Sequence, residues 1–155
     1  MTQVDFYILA SNTNDSRLRF ACRITEKAVQ RNYHVFLNSA NNADALKLDG
    51  LLWTFSQGSF IPHVVVSERL ATPPTEPVLI GINSPETEDD VTNQLGENWD
   101  LMINLAPNIP GFFSRYARVA EVIDSDPIRR EKGREHYRFY RDRGYELKIH
   151  NISVG

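Results

Sequence analysis

Apolar residues along the chain gather into short runs whose spacing switches between the strand and helix periods. Val4 to Leu9 reads V-D-F-Y-I-L and stops at the polar stretch Ser11 to Ser16, which predicts a strand followed by a loop. Leu18, Cys22, Thr25 and Val29, with Ala21 and Ala28 beside them, recur at three- and four-residue steps; this stripe predicts a helix over about Asp15 to Arg31. His34 to Leu37 is the next strand-like run. Asn38 to Asn42 then leads into a second predicted helix, Ala43 to Trp53, on which Ala45, Leu48 and Leu52 share a face. Strand-helix-strand-helix order is the mark of parallel sheet units.

Phe60, Ile61 and the run His63 to Val66 suit a short or edge strand, because Pro62 withholds a ladder donor. Ala71 to Pro77 reads as a loop, Val78 to Ile82 as a buried strand, and Ser84 to Glu97 as a polar connection with room for a short helix. Leu101 to Leu105 is a further strand, closed by Pro107 and Pro110. Phe112, Phe113 and Tyr116 suit a short helix, and Val119 to Ile123 another strand. These connections fit parallel crossovers and are too long for simple hairpins. The last helix carries the strongest end signals: Ser125 or Asp126 to cap it, Pro127 for its first turn, and Gly144 to end it in a left-handed conformation. Glu146 to Ile149 suits a final edge strand. The expected fold is an α/β three-layer sandwich with a mostly parallel sheet, occupying residues 1–150 as a single domain, with 151–155 as a tail of no readable pattern.

Composition narrows this picture. A chain of 155 residues, 41% of them hydrophobic, fills one core and leaves little for a second domain. No stretch has the order of a signal peptide or the length of a membrane span, so the expected location is the cytosol. Cys22 is the only cysteine; it excludes an intramolecular disulfide and a cysteine-rich metal site, and its apolar surroundings make it a small core residue. The net charge of −3 is unevenly spread. Arg115 to Lys148 holds ten Lys or Arg against seven Asp or Glu, while the rest holds seven against thirteen. A localised acidic ligand fits that basic quarter better than a nucleic-acid coat does.

Open parallel sheets bind ligands at the carboxyl ends of their strands. Here the first such loop, Ala10 to Ser16, has no glycine, and so neither the Walker nor the dinucleotide phosphate cradle. The histidines His34, His63, His136 and His150 are scattered, and Ser59 and Ser67 lack a nucleophile-elbow context. Glu88, Asp89 and Asp90 read as an exposed acidic loop ahead of a cation site. No cofactor or metal is expected. A Rossmann-like transferase or hydrolase, resting only on the parallel-sheet pattern, is the competing class and predicts saturable nucleotide binding at the first loop.

At 100° per residue, Arg130, Arg134, Tyr137 and Arg141 share a narrow arc of the last helix, with Arg138 at its margin. Gly133, His136, Tyr140 and Arg143 lie on another side, where Gly133 allows close packing and Tyr140 covers the core. Guanidinium groups around an aromatic ring suit an acidic peptide with an aromatic or apolar anchor. The competing reading is an ordinary solvated face, with Glu131 and Glu135 paired along it. Arginines and tyrosines also suit single-stranded nucleic acid, but the acidic remainder opposes direct binding. A second cluster, Trp53, Phe55, Phe60, Ile61, Pro62 and His63, offers more aromatic area than a loop usually hides and suits a partner-binding patch, with burial against the sheet as its alternative.

The opening V-D-F-Y-I-L strand, L-x-x-L-L-W at Leu48 to Trp53, S-F-I-P-H at Ser59 to His63, and R-E-x-Y-R-x-Y-R at Arg134 to Arg141 followed by Gly144 and Tyr145 together resemble the chi subunit family of bacterial DNA polymerase III. The resemblance runs from the first strand to about Leu147. It implies a nucleotide-binding-like fold without nucleotide binding and without catalysis. It further implies one-to-one pairing with a psi subunit, contact with the clamp loader through psi, and capture of the acidic, phenylalanine-ended tail of single-stranded-DNA-binding protein at the replisome, with DNA contacted mainly indirectly. Carried onto this chain, tail binding falls on Arg130, Arg134, Tyr137, Arg138, Arg141 and Gly144. Arg130 and Arg138 stand where lysine is expected in better-known members. Psi binding falls on the Trp53 to His63 neighbourhood. The Ala71 to Pro77 stretch and the connection around Asp89 depart from the family pattern.

Overall fold

The computed structural model describes residues 1–54, 61–66, 76–82 and 100–152. Seven strands, β1 (Gln3–Leu9), β2 (Val35–Ser39), β3 (His63–Val66), β4 (Val78–Ile82), β5 (Leu101–Asn104), β6 (Arg118–Ile123) and β7 (Glu146–Ile152), form one sheet in the order β3-β4-β2-β5-β6-β1-β7. Every described pairing is parallel. Helices α1 (Asn14–Gln30) and α2 (Asn42–Thr54) cover one face, α3 (Pro127–Asp142) the other, and a 3₁₀ turn spans Phe113–Arg115. The result is a three-layer α/β sandwich. No described helix is long and apolar enough to cross a membrane.

Two cores follow from the strand alternation. On the α1 and α2 side, Leu9, Leu37, Ile80, Ile103 and Val122 meet Leu18, Ala21, Cys22, Ala45, Leu48 and Leu52. On the α3 side, Phe6, Phe36, Met102 and Val119 meet Phe113, Tyr116 and Tyr140. Burial pushes the Cys22 thiol up to about 12, so at neutral pH it stays a neutral core group.

Local signals set the element ends. Thr13 caps α1 by accepting from the Ser16 amide at 3.3 Å, which occupies the glycine-free loop after β1 with ordinary capping. Pro62 stands just ahead of β3, and β3 is an outer edge strand. The final strand differs from expectation at its end. Asn151 and Ile152, expected in the tail, pair with Ile8 and Leu9, because β1 is long enough to hold three more residues than Ile149 and Ile152 half-buries itself against the α1-side core. The Ser84 to Glu97 connection, the acidic residues Glu88 to Asp90, Ser59, Ser67 and most of Ala71 to Pro77 lie outside the described residues.

The approach of α3 to the sheet depends on Gly133, where an added Cβ would run into the Ile123 side chain of β6. Gly133→Leu is therefore expected to lower stability by about 1–3 kcal/mol through overpacking, read as a shifted midpoint in urea unfolding.

Candidate functional site

Helix α3 begins where Asp126 accepts from the Arg129 amide at 3.1 Å, with Pro127 in its first turn. It ends at Gly144, whose φ of +81° is the left-handed conformation that glycine tolerates best. The Tyr145 amide then donates back to the Tyr140 carbonyl at 3.1 Å. These ends fix which residues face inward: Gly133, His136 and Tyr140 are buried, as their spacing predicts.

The inward face is held by a carboxylate. Glu121 of β6 is buried and accepts from the Tyr140 hydroxyl at 2.8 Å and from the Asn104 amide at 2.9 Å. Its other oxygen lies 2.9 Å from His136 Nδ1, while His136 Nε2 lies 2.8 Å from the Pro107 carbonyl. With a carboxylate oxygen at one ring nitrogen and a carbonyl at the other, the surroundings favour the doubly protonated ring. Burial alone would favour the neutral ring, but the hydrogen bond to Glu121, its charge and the Pro107 carbonyl outweigh it and raise the His136 pKa. Asn38 extends the network by donating to Asn104 at 2.9 Å.

The outward face carries Arg130, Arg134, Arg138 and Arg141, all exposed, with Tyr137 half-buried. A groove of about 200 Å³ opens between this face and the β1-β7 edge of the sheet. Phe6, Ile8, Ile123 and Ile149 form its apolar floor, Tyr137 closes one side, and Arg130 and Arg134 stand at the rim. Phe6 holds Tyr137 in an edge-to-face contact at 5.5 Å. Register explains the floor: Phe6 pairs with Ile149 across β1 and β7, and Ile149 keeps 54% of its surface exposed. An apolar cavity of roughly 150 Å³ is enough to take a benzene ring, so the groove has room for one aromatic side chain beneath two guanidinium groups.

The rim is weakly neutralised. Glu131 lies 3.3 Å from Arg134 and 3.9 Å from Arg138, and Asp142 lies 3.1 Å from Arg141. These pairs are exposed and such pairs contribute about 0–1 kcal/mol, so an incoming carboxylate displaces them at little cost. Arg130 has no acidic partner among the described residues. The structure thus brings Arg130, Arg134 and Tyr137 together at one groove and ties Arg138 to it through Glu131. Arg141 and Gly144 lie outside the groove, Gly144 serving as the helix stop. The floor residues Phe6, Ile8, Ile123 and Ile149 were not among the predicted site residues, since nothing on α3 signals which strands lie beneath it.

The second predicted cluster is split. Trp53, at the end of α2, is 59% exposed and meets His63 edge-to-face at 5.6 Å. Pro62 is exposed, but Ile61 is buried in the α1-side core. The His63 side chain is enclosed, with Nδ1 2.7 Å from the Ile61 carbonyl and Nε2 2.8 Å from Asp49. Phe55 and Phe60 lie outside the described residues. At the carboxyl ends of the strands, where a nucleotide would sit in related architectures, the buried Arg17 guanidinium donates to the Leu105 carbonyl and to Asn14, and Arg129 is clasped by Asp124 at 2.6 Å. Both cations are thus turned to internal partners. Among the described residues no three His, Cys, Asp or Glu side chains are placed to hold a metal.

Residues 1–148 match the family described as DNA polymerase III chi subunit, HolC. The chain is 38% identical over 152 residues to the DNA polymerase III subunit chi of Pseudomonas aeruginosa, covering 98% of each. It is 26% identical to that of Haemophilus influenzae, covering 96% of each, and 22% identical to that of Escherichia coli K12, covering 95% of this chain and 96% of that one. Among solved structures, T4 UvsW superposes with a TM-score of 0.70 at 9% identity, over 98% of this chain and 42% of that one, a likeness of fold alone.

Proposed function

Since this chain belongs to the DNA polymerase III chi subunit family, an accessory role in DNA replication is its general function, and we propose that it acts there as a non-catalytic adaptor. In this reading the α3 groove holds the acidic, phenylalanine-ended C-terminal tail of single-stranded-DNA-binding protein. The terminal ring enters over Phe6, Ile8 and Ile149, the chain-end carboxylate meets Arg134 and Arg130, and upstream acids reach Arg138 and Arg141. The supporting observation is the apolar, ring-sized groove with guanidinium groups at its rim.

Calorimetric titration with a short acidic peptide ending in Asp-x-Pro-Phe tests this. Deleting the phenylalanine is expected to weaken binding by about tenfold or more, since burying that ring contributes about 1.5–3 kcal/mol. Equal affinity with and without the ring would remove the groove from the proposal.

The adaptor's other end is the psi subunit, which would connect the chain to the clamp loader and leave DNA contacted mainly through coated template. Among the described residues of the proposed psi surface, Trp53 and Pro62 are exposed, on the far side of the sheet order from β7. Aromatic anchors dominate interface energetics, so Trp53→Glu is expected to weaken psi pairing at least tenfold while leaving tail-peptide affinity unchanged. Loss of both bindings together would point to unfolding in place of a surface effect; retention of psi pairing would move that surface elsewhere.

A further inference from the structure

A second groove, of about 460 Å³, opens on the opposite face of the sheet. Helix α1 packs over β6 and β2, which leaves Tyr7 of β1 and Ile152 of β7 only half covered. Their side chains, with Ala120 below and Phe20, Ile24 and Ala28 on the α1 wall, make an apolar trough beside α1. The upper wall carries Arg23, Lys27 and Arg31, at four-residue steps along the helix and its cap. All three are exposed, and none has an acidic partner among the described residues. The acids of the trough are already engaged: Asp5 with Arg118 at 3.3 Å and His150 at 3.0 Å, and Asp100 with His34 at 3.3 Å.

We infer that this trough is a docking site for an amphipathic helix of a partner protein, one with an apolar stripe and carboxylates at four-residue intervals along one flank. A helix laid over β1 and β7 would sit where the helical layer on this face ends, at the 8–10 Å spacing usual between packed helices. Four residues of helix rise about 6 Å, so carboxylates at i, i+4 and i+8 on the flank facing α1 match the steps from Arg23 to Lys27 to Arg31. The apolar stripe would cover Tyr7, Ile24 and Ile152. Single-stranded nucleic acid fits less well, because the rings of the trough are committed. Tyr7 stacks on His150 at 4.8 Å and leans on Phe20 at 5.5 Å.

The site is separate from the α3 groove, so each is tested independently. Two synthetic helical peptides share one leucine stripe, with glutamate on the flank of the first and lysine on that of the second; a thymidine oligonucleotide is the third probe. With the full chain, fluorescence anisotropy is expected to show the glutamate peptide binding at least tenfold tighter than its lysine twin. The triple variant Arg23→Glu, Lys27→Glu, Arg31→Glu is expected to reverse that order, with tail-peptide affinity at α3 unchanged. Ile152→Lys is expected to weaken both peptides. Equal affinity for the twins, no binding of either, tighter binding of the oligonucleotide, or self-association of the chain that the triple variant abolishes would each overturn the proposal.

Discussion

Arg134→Glu is expected to weaken binding of the acidic tail peptide by more than tenfold. Arg134 stands over the groove beside Tyr137, where a hydrogen bond to a charged group contributes about 1.5–3 kcal/mol, and tenfold in affinity corresponds to about 1.4 kcal/mol. Reversal also places a carboxylate against the ligand's own acids. Arg130→Glu is expected to act in the same direction, and the double variant to fall short of additive loss because both arginines serve one ligand. Glu131→Gln supplies the opposite sign. Glu131 pairs with Arg134 and Arg138 in the free protein, so removing its charge frees both and should tighten binding by about two- to fivefold, within the range of exposed pairs. Calorimetry on the four proteins reads all of these. An Arg134→Glu protein that binds normally would exclude this face, whatever the other variants do.

That face was legible in the sequence for a simple reason. The helix period separates Gly133, His136 and Tyr140 from Arg130, Arg134 and Arg141, although it groups them with Arg143, which the helix end leaves exposed, and Asp126, Pro127 and Gly144 mark both ends. Parallel strands with long connections were likewise readable from short apolar runs, and Pro62 announced β3 as an edge. The groove itself was not readable. Its floor joins Phe6 and Ile8 to Ile149 through the register of β1 with β7, a pairing between residues about 140 positions apart that no local pattern encodes. Two buried charges are hidden from the sequence in a related way. Arg17 and Glu121 look like surface residues on an amphipathic helix and strand, yet both are buried, because carbonyls and side chains from distant elements converge on them.

Glu121 is where that convergence matters most, and Glu121→Leu is expected to cost about 3–5 kcal/mol. The change strands the Tyr140 hydroxyl, the Asn104 amide and the His136 ring without their shared partner. At roughly 2–4 °C per kcal/mol for a chain of this size, the melting temperature should fall by about 6–20 °C. Because α3 is anchored through this carboxylate, tail-peptide affinity should fall as well. The isosteric Glu121→Gln separates charge from shape. A glutamine oxygen can still accept from Tyr140 and Asn104, and its amide can donate to His136 Nδ1, provided that ring is neutral. In the native protein the His136 pKa is raised, so its stabilisation is complete below the unfolded value of about 6.5 and is lost as pH rises through the folded value. In the glutamine variant the folded ring must give up a proton, which lowers its pKa, and the slope inverts: stability falls as pH drops below about 6.5. Urea midpoints measured from pH 5.5 to 8.5 should therefore decline with rising pH in the native chain and rise in Glu121→Gln. Parallel pH profiles for the two proteins would remove the charged His136–Glu121 pair from the account.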